Sequence, residues 1–278
     1  MLQWATGGLA FLWFTTRRRE VGLGYGWLLR GTYLLMAALG VWLGVRFDAV
    51  PVREAAGAAA ALAALVALVV SIGRRREGVS GQRDEHDRRS ARVAAMTGIE
   101  RNVSGRDDGT SNGREFDPRL DLVAPVCGVV GLVAGAVDAG GNLAVSLFRL
   151  LAGAAFLGAV TDAMLLGHWY LVQPGLPRRH LNELVRALGW VWPLEVVSLL
   201  LPTGMVSVWN GSIDDGWNGQ LGWFWGACAV GTIVLVVVTR AALRERAYSA
   251  VMAATGLLYL AIITAFGTDL VARAVLAP

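Results

Sequence analysis

Residues 141–172 read GNLAVSLFRLLAGAAFLGAVTDAMLLGHWYLV. After a polar connector, QPGLPRRHLNE (173–183), the chain resumes as LVRALGWVWPLEVVSLLLPTGMVSVW (184–209). Each flank is an apolar run longer than the roughly 20 residues a helix needs to cross a bilayer core of about 30 Å. Backbone groups in lipid must be satisfied within the segment, so the stretch reads as a membrane-embedded helical hairpin. Three ionisable side chains fall inside it: Asp162, His168 and Glu195. A charge at that depth is costly unless it is neutralised, paired or wetted, which makes these residues the first functional suspects.

The same ruler, moved outward from the hairpin, gives an all-α, polytopic membrane bundle of about eight spans. They lie near 3–16, 31–47, 55–73, 121–138, 144–172, 184–208, 220–239 and 247–272. Composition agrees: 55% of residues are hydrophobic, 17% are charged and the mean hydropathy is +0.52, too apolar for a soluble chain of this length. One long hydrophilic stretch, 74–120, divides an N-terminal three-span segment (1–73) from a C-terminal five-span bundle (121–278). Its mixed charges, Gly, Ser and Asn cannot bury enough apolar surface to offset chain entropy, so a mostly disordered loop is expected there, with His86 as an ordinary exposed histidine.

The basic clusters set the expected orientation. Arg17–Arg19, Arg74–Arg76, the arginines of 83–119, Arg178 with Arg179, and Arg240, Arg244 and Arg246 share one side of an eight-span path. By the positive-inside rule that side is cytoplasmic and both termini lie outside. The expected location is therefore a bacterial-type cytoplasmic (inner) membrane, and the lipid bilayer is the first partner. Arg30 and Arg149 read as side chains that snorkel to head groups. The segment 20–30, Gly-rich and aromatic, reads as an interfacial stretch preceding the second span.

Several chemistries are excluded. All 25 basic residues counted as Lys or Arg are Arg, so no lysine exists to form a Schiff base with retinal or pyridoxal phosphate. A phosphate-binding loop ending in Gly-Lys-Ser/Thr is likewise absent. Cys127 and Cys228 stand alone inside apolar runs, and no CxxC or CxxCH occurs, which leaves out covalent haem c. Haem b held by this chain alone lacks a second well-placed axial histidine. No nucleic acid partner is indicated. Asp214 and Asp215, in a Trp-rich loop, are a weak signal for a cation.

Within the hairpin, Asp162 lies about as far before the connector as Glu195 lies after it. Antiparallel helices rising 1.5 Å per residue then place the two carboxyls at similar depth. If they meet, a low dielectric favours one proton shared between them. His168 is about 120° round the helix from Asp162, so it joins them only through water or Glu195. Pro193 removes a backbone donor near Glu195 and can kink its helix.

Asp162, Glu195 and His168 thus read as a proton relay or substrate site of a proton-coupled carrier for a small molecule. A membrane subunit of a redox complex is the alternative, with Trp169, Tyr170 and Trp192 as quinone contacts. A third reading is a structural or assembly subunit bound to other membrane subunits.

Overall fold

In the computed structural model, residues 1–75, 115–173, 175–245 and 247–276 are described. Among them the chain is all-helical, with eight helices of 15 residues or more: α1 Leu2–Thr16, α2 Leu23–Phe47, α3 Pro51–Gly73, α4 Val123–Asp138, α5 Leu143–Val172, α6 Arg179–Leu200, α7 Gln220–Ala242 and α8 Tyr248–Leu276. A 3₁₀ turn, Pro118–Leu122, leads into α4, and a single helical turn, Val206–Trp209, follows α6. Most of the hydrophilic stretch, 76–114 with His86, lies outside the described residues, as does the expectation of disorder there.

Six helices are long and apolar enough to cross a membrane: α2, α3, α4 with its 3₁₀ turn, α5, α7 and α8. That makes a multi-pass arrangement in a lipid bilayer. Two of the expected spans fall short by this measure. α1 has only 15 residues, and α6 carries Arg179, Glu183, Arg186 and Glu195 in its 22 residues.

Local signals fix the helix ends. Pro51 stands at the start of α3, where its missing N–H costs nothing. Asn142 caps α5 by accepting from the N–H groups of Ala144 and Val145 at 3.1 and 3.3 Å. The turn before it uses Gly140 and Gly141 at φ +70° and +65°, which a side chain would strain. Two expected boundaries move. α2 is one unbroken helix from Leu23, with no separate interfacial piece, and α6 stops at Leu200 because Pro202 cannot donate to a continuing ladder.

α1 sits against α2, α4 and α5 at the centre, with Ala5, Leu9 and Leu12 buried beside Tyr25, Leu29, Tyr33, Phe156 and Leu166. Small residues make this possible. A Cβ on Gly7 would lie 1.7 Å from the Ala154 carbonyl oxygen, and one on Gly158 would lie 2.3 Å from the Gly7 backbone. The Ala154-xxx-Gly158 face of α5 therefore meets Gly7 and Gly8 backbone to backbone, as small-residue helix pairs do in membranes. Large apolar side chains such as Leu35, Val126, Trp223 and Ile263 point outward, the surface that lipid covers.

One end of the bundle is cross-tied by its charged turns. Arg18 pairs with Glu183 at 2.7 Å, Arg19 with Glu115 at 2.7 Å, and Arg179 and His180 with Glu20. Gln173 accepts from the N–H of Gly22 and donates to the carbonyl of Glu20. This is the basic end. The turns at 47–51, 138–143 and 200–220 form the opposite end.

Candidate functional site

The helix starts decide where the two expected carboxylates fall. Asp162 is about 10 residues from the basic end of α5, and Glu195 about 16 residues from the start of α6, or about 15 and 24 Å at 1.5 Å per residue. Beginning α6 at Arg179 lifts Glu195 toward the opposite end. No hydrogen bond or ion pair joins the two, and each belongs to a different polar centre.

Glu195 is fully buried on the inner face of α6, and neither carboxyl oxygen makes a well-formed hydrogen bond. Its nearest charged neighbours are Asp269 and Arg273 of α8, close enough for the two carboxyls to act on each other. Arg273 Nε donates to Asp269 Oδ1 at 2.7 Å. Its Nη2 donates to the carbonyl of Arg149 at 3.2 Å. Arg149 Nε in turn donates to the Ser198 carbonyl at 3.1 Å, and Nη2 reaches the Leu201 carbonyl. Arg149 is therefore held by the end of α6 and does not snorkel freely. Gln3, Arg273 and Asp269 all converge over Gly153, where a Cβ would lie 2.0, 2.5 and 2.9 Å from their polar atoms. Asp269 was missed in the sequence. Its signal is the TDLVAR pattern, an Asp and an Arg at i and i+4 inside an apolar run.

Asp162, also fully buried, takes a short hydrogen bond from the Tyr33 hydroxyl of α2 through Oδ1. The Tyr25 hydroxyl lies 3.4 Å from the Asp162 backbone carbonyl. The Tyr33 ring crosses α1 directly over Gly8, where a Cβ would come within 2.0 Å of it. Asp162 Oδ2 has no partner among the described residues. Next to it on α5, Thr161 accepts from the Trp4 indole at 2.8 Å.

The remaining suspects are placed apart from these centres. His168 is exposed on the outside of the bundle, 3.3 Å from the Tyr259 hydroxyl through Nδ1 and edge-on to that ring. Trp169 packs over Gly24 and Tyr25. The Tyr170 hydroxyl donates to the Pro177 carbonyl at 2.7 Å, which closes the connector onto α5. Trp192 donates to the Ala229 carbonyl of α7 at 2.9 Å. These contacts tie helices together.

A third centre lies near the basic end. Arg30 is almost fully buried and makes a two-pronged salt bridge to Asp121, with Nε and Nη2 each at 2.7 Å from a carboxylate oxygen. Ser71 accepts from its Nη1 at 3.3 Å, Thr16 donates to Asp121 at 3.3 Å, and the Phe116 ring stacks 4.4 Å from the guanidinium. Snorkelling was the wrong expectation for Arg30. The helix that carries it begins at Leu23, which turns the side chain into the bundle toward the 3₁₀ turn before α4. Outside the spans, burial holds the His180 imidazole below its usual range, an effect that the neighbouring Glu20 opposes. Desolvation pushes Asp215 up, but several backbone N–H donors together outweigh it and hold the carboxyl below its usual range. Gly219, Trp217 and Leu221 donate to it at 2.8 to 2.9 Å, so it caps the entry to α7.

Among the described residues no group of three His, Cys, Asp or Glu side chains converges in a way that could hold a metal. Comparison with known proteins gives no match: no family model fits the chain, and neither a curated protein nor a solved structure is similar to it.

Proposed function

We propose that this chain is a proton-coupled carrier of a bacterial-type cytoplasmic membrane, crossing it eight times with the basic end in the cytoplasm. α5 runs from the opposite end to the basic end and α7 does the same, so α6 must return across the bundle between them. Its charges do not prevent this. Arg179, Glu183 and Arg186 lie in its first turns near the basic end, while Glu195 is hidden from lipid. The clustering of arginine at the basic end supports the orientation.

One observation carries the proton reading: Glu195, neither of whose oxygens makes a well-formed hydrogen bond, is sealed inside membrane helices beside Asp269. Two carboxyls that close in low dielectric are stable together with one proton between them. Arg273 neutralises Asp269 when that proton leaves. The Asp162–Tyr33 pair, about nine residues further along α5 from Gly153 and so about 13 Å toward the cytoplasm, is the second station. Its unpartnered Oδ2 is the free acceptor there. His168 faces away from both stations and is not part of this path.

The test does not need the substrate. Infrared difference spectra of the purified protein, stepped through the neutral pH range, should show a carboxyl band that disappears in Glu195→Gln or Asp269→Asn. A second band should respond to Asp162→Asn. Spectra unchanged by all three substitutions would refute the proton role.

A further inference from the structure

We infer that the cleft at the opposite end binds a small oxyanion, carboxylate or phosphate, between Arg149 and Arg273. The cleft has a volume of about 340 Å³ and is lined by Gln3, Arg53, Ser146, Arg149 and Arg273. A second recess of about 200 Å³, lined by Leu199, Ala272 and Leu276, shares the same two arginines. Both guanidiniums therefore border open spaces at the membrane's edge.

The charges in the cleft do not balance. Arg53 is held by Glu54 at 2.7 Å and by Asp48 at 3.8 Å. Arg273 is held by Asp269. Among the described residues Arg149 meets no carboxylate; its partners there are the carbonyls of Ser198 and Leu201. It stands close enough to Arg273 for the two positive charges to act on each other. Fixed backbone contacts keep Arg149 from swinging away. Two like charges pinned side by side, with Asp269 between them and the buried Glu195 carrying its proton, leave one positive charge that an anion would neutralise.

Donors are also left over. Nη1 of Arg149 and of Arg273 has no hydrogen-bond partner among the described residues, and the buried Gln3 Nε2 has none either. A planar guanidinium presents paired N–H groups at the spacing of carboxylate or phosphate oxygens. The Gln3 amide converges with Arg273 over Gly153, adding a neutral donor from the cleft lining. This names the substrate class of the carrier and, as to transport, rests on the reading above; binding as such does not depend on it.

The probe is inorganic phosphate, titrated calorimetrically at constant ionic strength into the full chain in a neutral detergent, after lipid removal. Saturable binding is expected, weakened at least tenfold by Arg149→Gln and several-fold by Gln3→Leu. Arg149→Lys keeps the charge and loses the fork, so it should fall between wild type and Arg149→Gln; it also stands in if Arg149→Gln fails to fold.

A second arm uses nanodiscs of phosphatidylcholine with and without phosphatidylglycerol. If phosphatidylglycerol is retained in an Arg149-dependent way while phosphate does not bind, the oxyanion is a lipid head group and the site stands. Absence of binding in both arms, or binding indifferent to Arg149 and Gln3, overturns the proposal. Phosphate binding with a silent infrared titration would sink the proton reading alone. The converse result would sink this one alone.

Discussion

Replacing Arg30 with Met should unfold the protein far more readily, and replacing its partner as well should undo most of the damage. In the folded chain both side chains are at most 3% exposed, and two bonds of 2.7 Å join them. Removing the guanidinium leaves Asp121 buried with one weak donor, the Thr16 hydroxyl at 3.3 Å. Breaking a buried pair from one side typically costs about 3–5 kcal/mol, because the surviving charge is uncompensated. Asp121→Leu strands the guanidinium with Ser71 and the Phe116 ring, with a cost of similar size. The double substitution removes both charges and fills the space with apolar atoms, and such replacements are often neutral or stabilising. Its cost should be within about 1 kcal/mol of wild type, giving a coupling energy of roughly 3 kcal/mol or more from the cycle. Reversible denaturant titration in mixed micelles, followed by tryptophan fluorescence, measures all four proteins. Small single-mutant effects that simply add would refute the claim that this pair is a desolvated, mutually dependent unit.

Two further outcomes follow from the ends of the bundle. Burial lowers the His180 pKa in the folded state, so the fold holds fewer protons there than the unfolded chain does; this stability is full above the unfolded value of about 6.5 and is lost as pH falls through the folded one. His180→Gln should therefore flatten the loss of thermal stability between neutral and mildly acid pH, and parallel slopes for the two proteins would refute it. With Cys127 and Cys228 replaced by Ala, single cysteines at the exposed positions Gly175 and Thr203, before and after α6, should label from opposite faces of intact cells, Thr203 from outside. Labelling from one face would remove α6 from the set of crossings.

The helices were legible because each is an apolar run bounded by charge, Pro, Gly or Asn, and those signals are local. What side chains meet across helices is not local. Tyr33 and Asp162 are 129 residues apart, and Arg30 and Asp121 are 91 apart; nothing in either neighbourhood marks the partner. A span that starts at 31 puts Arg30 at a helix end and so predicts snorkelling, whereas the real start at Leu23 sets it inside the helix. The same kind of slip misplaces Glu195: a start for its helix at 184 gives it the level of Asp162, whereas the real start at Arg179 carries it past that level toward Asp269 and Arg273. In a bundle, an error of one turn in a boundary changes the depth by about 5 Å and also changes which neighbour is faced. Asp269 itself was passed over because an i, i+4 Arg beside it resembles an ordinary surface pair near a helix end.

The glycines explain why such polar residues can sit at the centre at all. Gly7 and Gly8 carry no side chain where α1 crosses α5, so the backbones touch and α1 itself fills none of the space over Gly8. The Tyr33 ring occupies that space, and its hydroxyl emerges at Asp162. The small-residue contact and the buried carboxylate are thus one construction: the close crossing admits the ring, and the ring supplies the donor that makes the carboxylate tolerable in low dielectric. Asp162 Oδ2, which that donor does not reach, has no partner among the described residues and is the acceptor that the proposed path uses. A purely structural carboxylate would be expected to have both oxygens occupied, as Asp121 does with Arg30 on each. The contrast between Asp121, saturated by Arg30 and Thr16, and the open oxygens of Asp162 and Glu195 is what separates the scaffold from the proposed path.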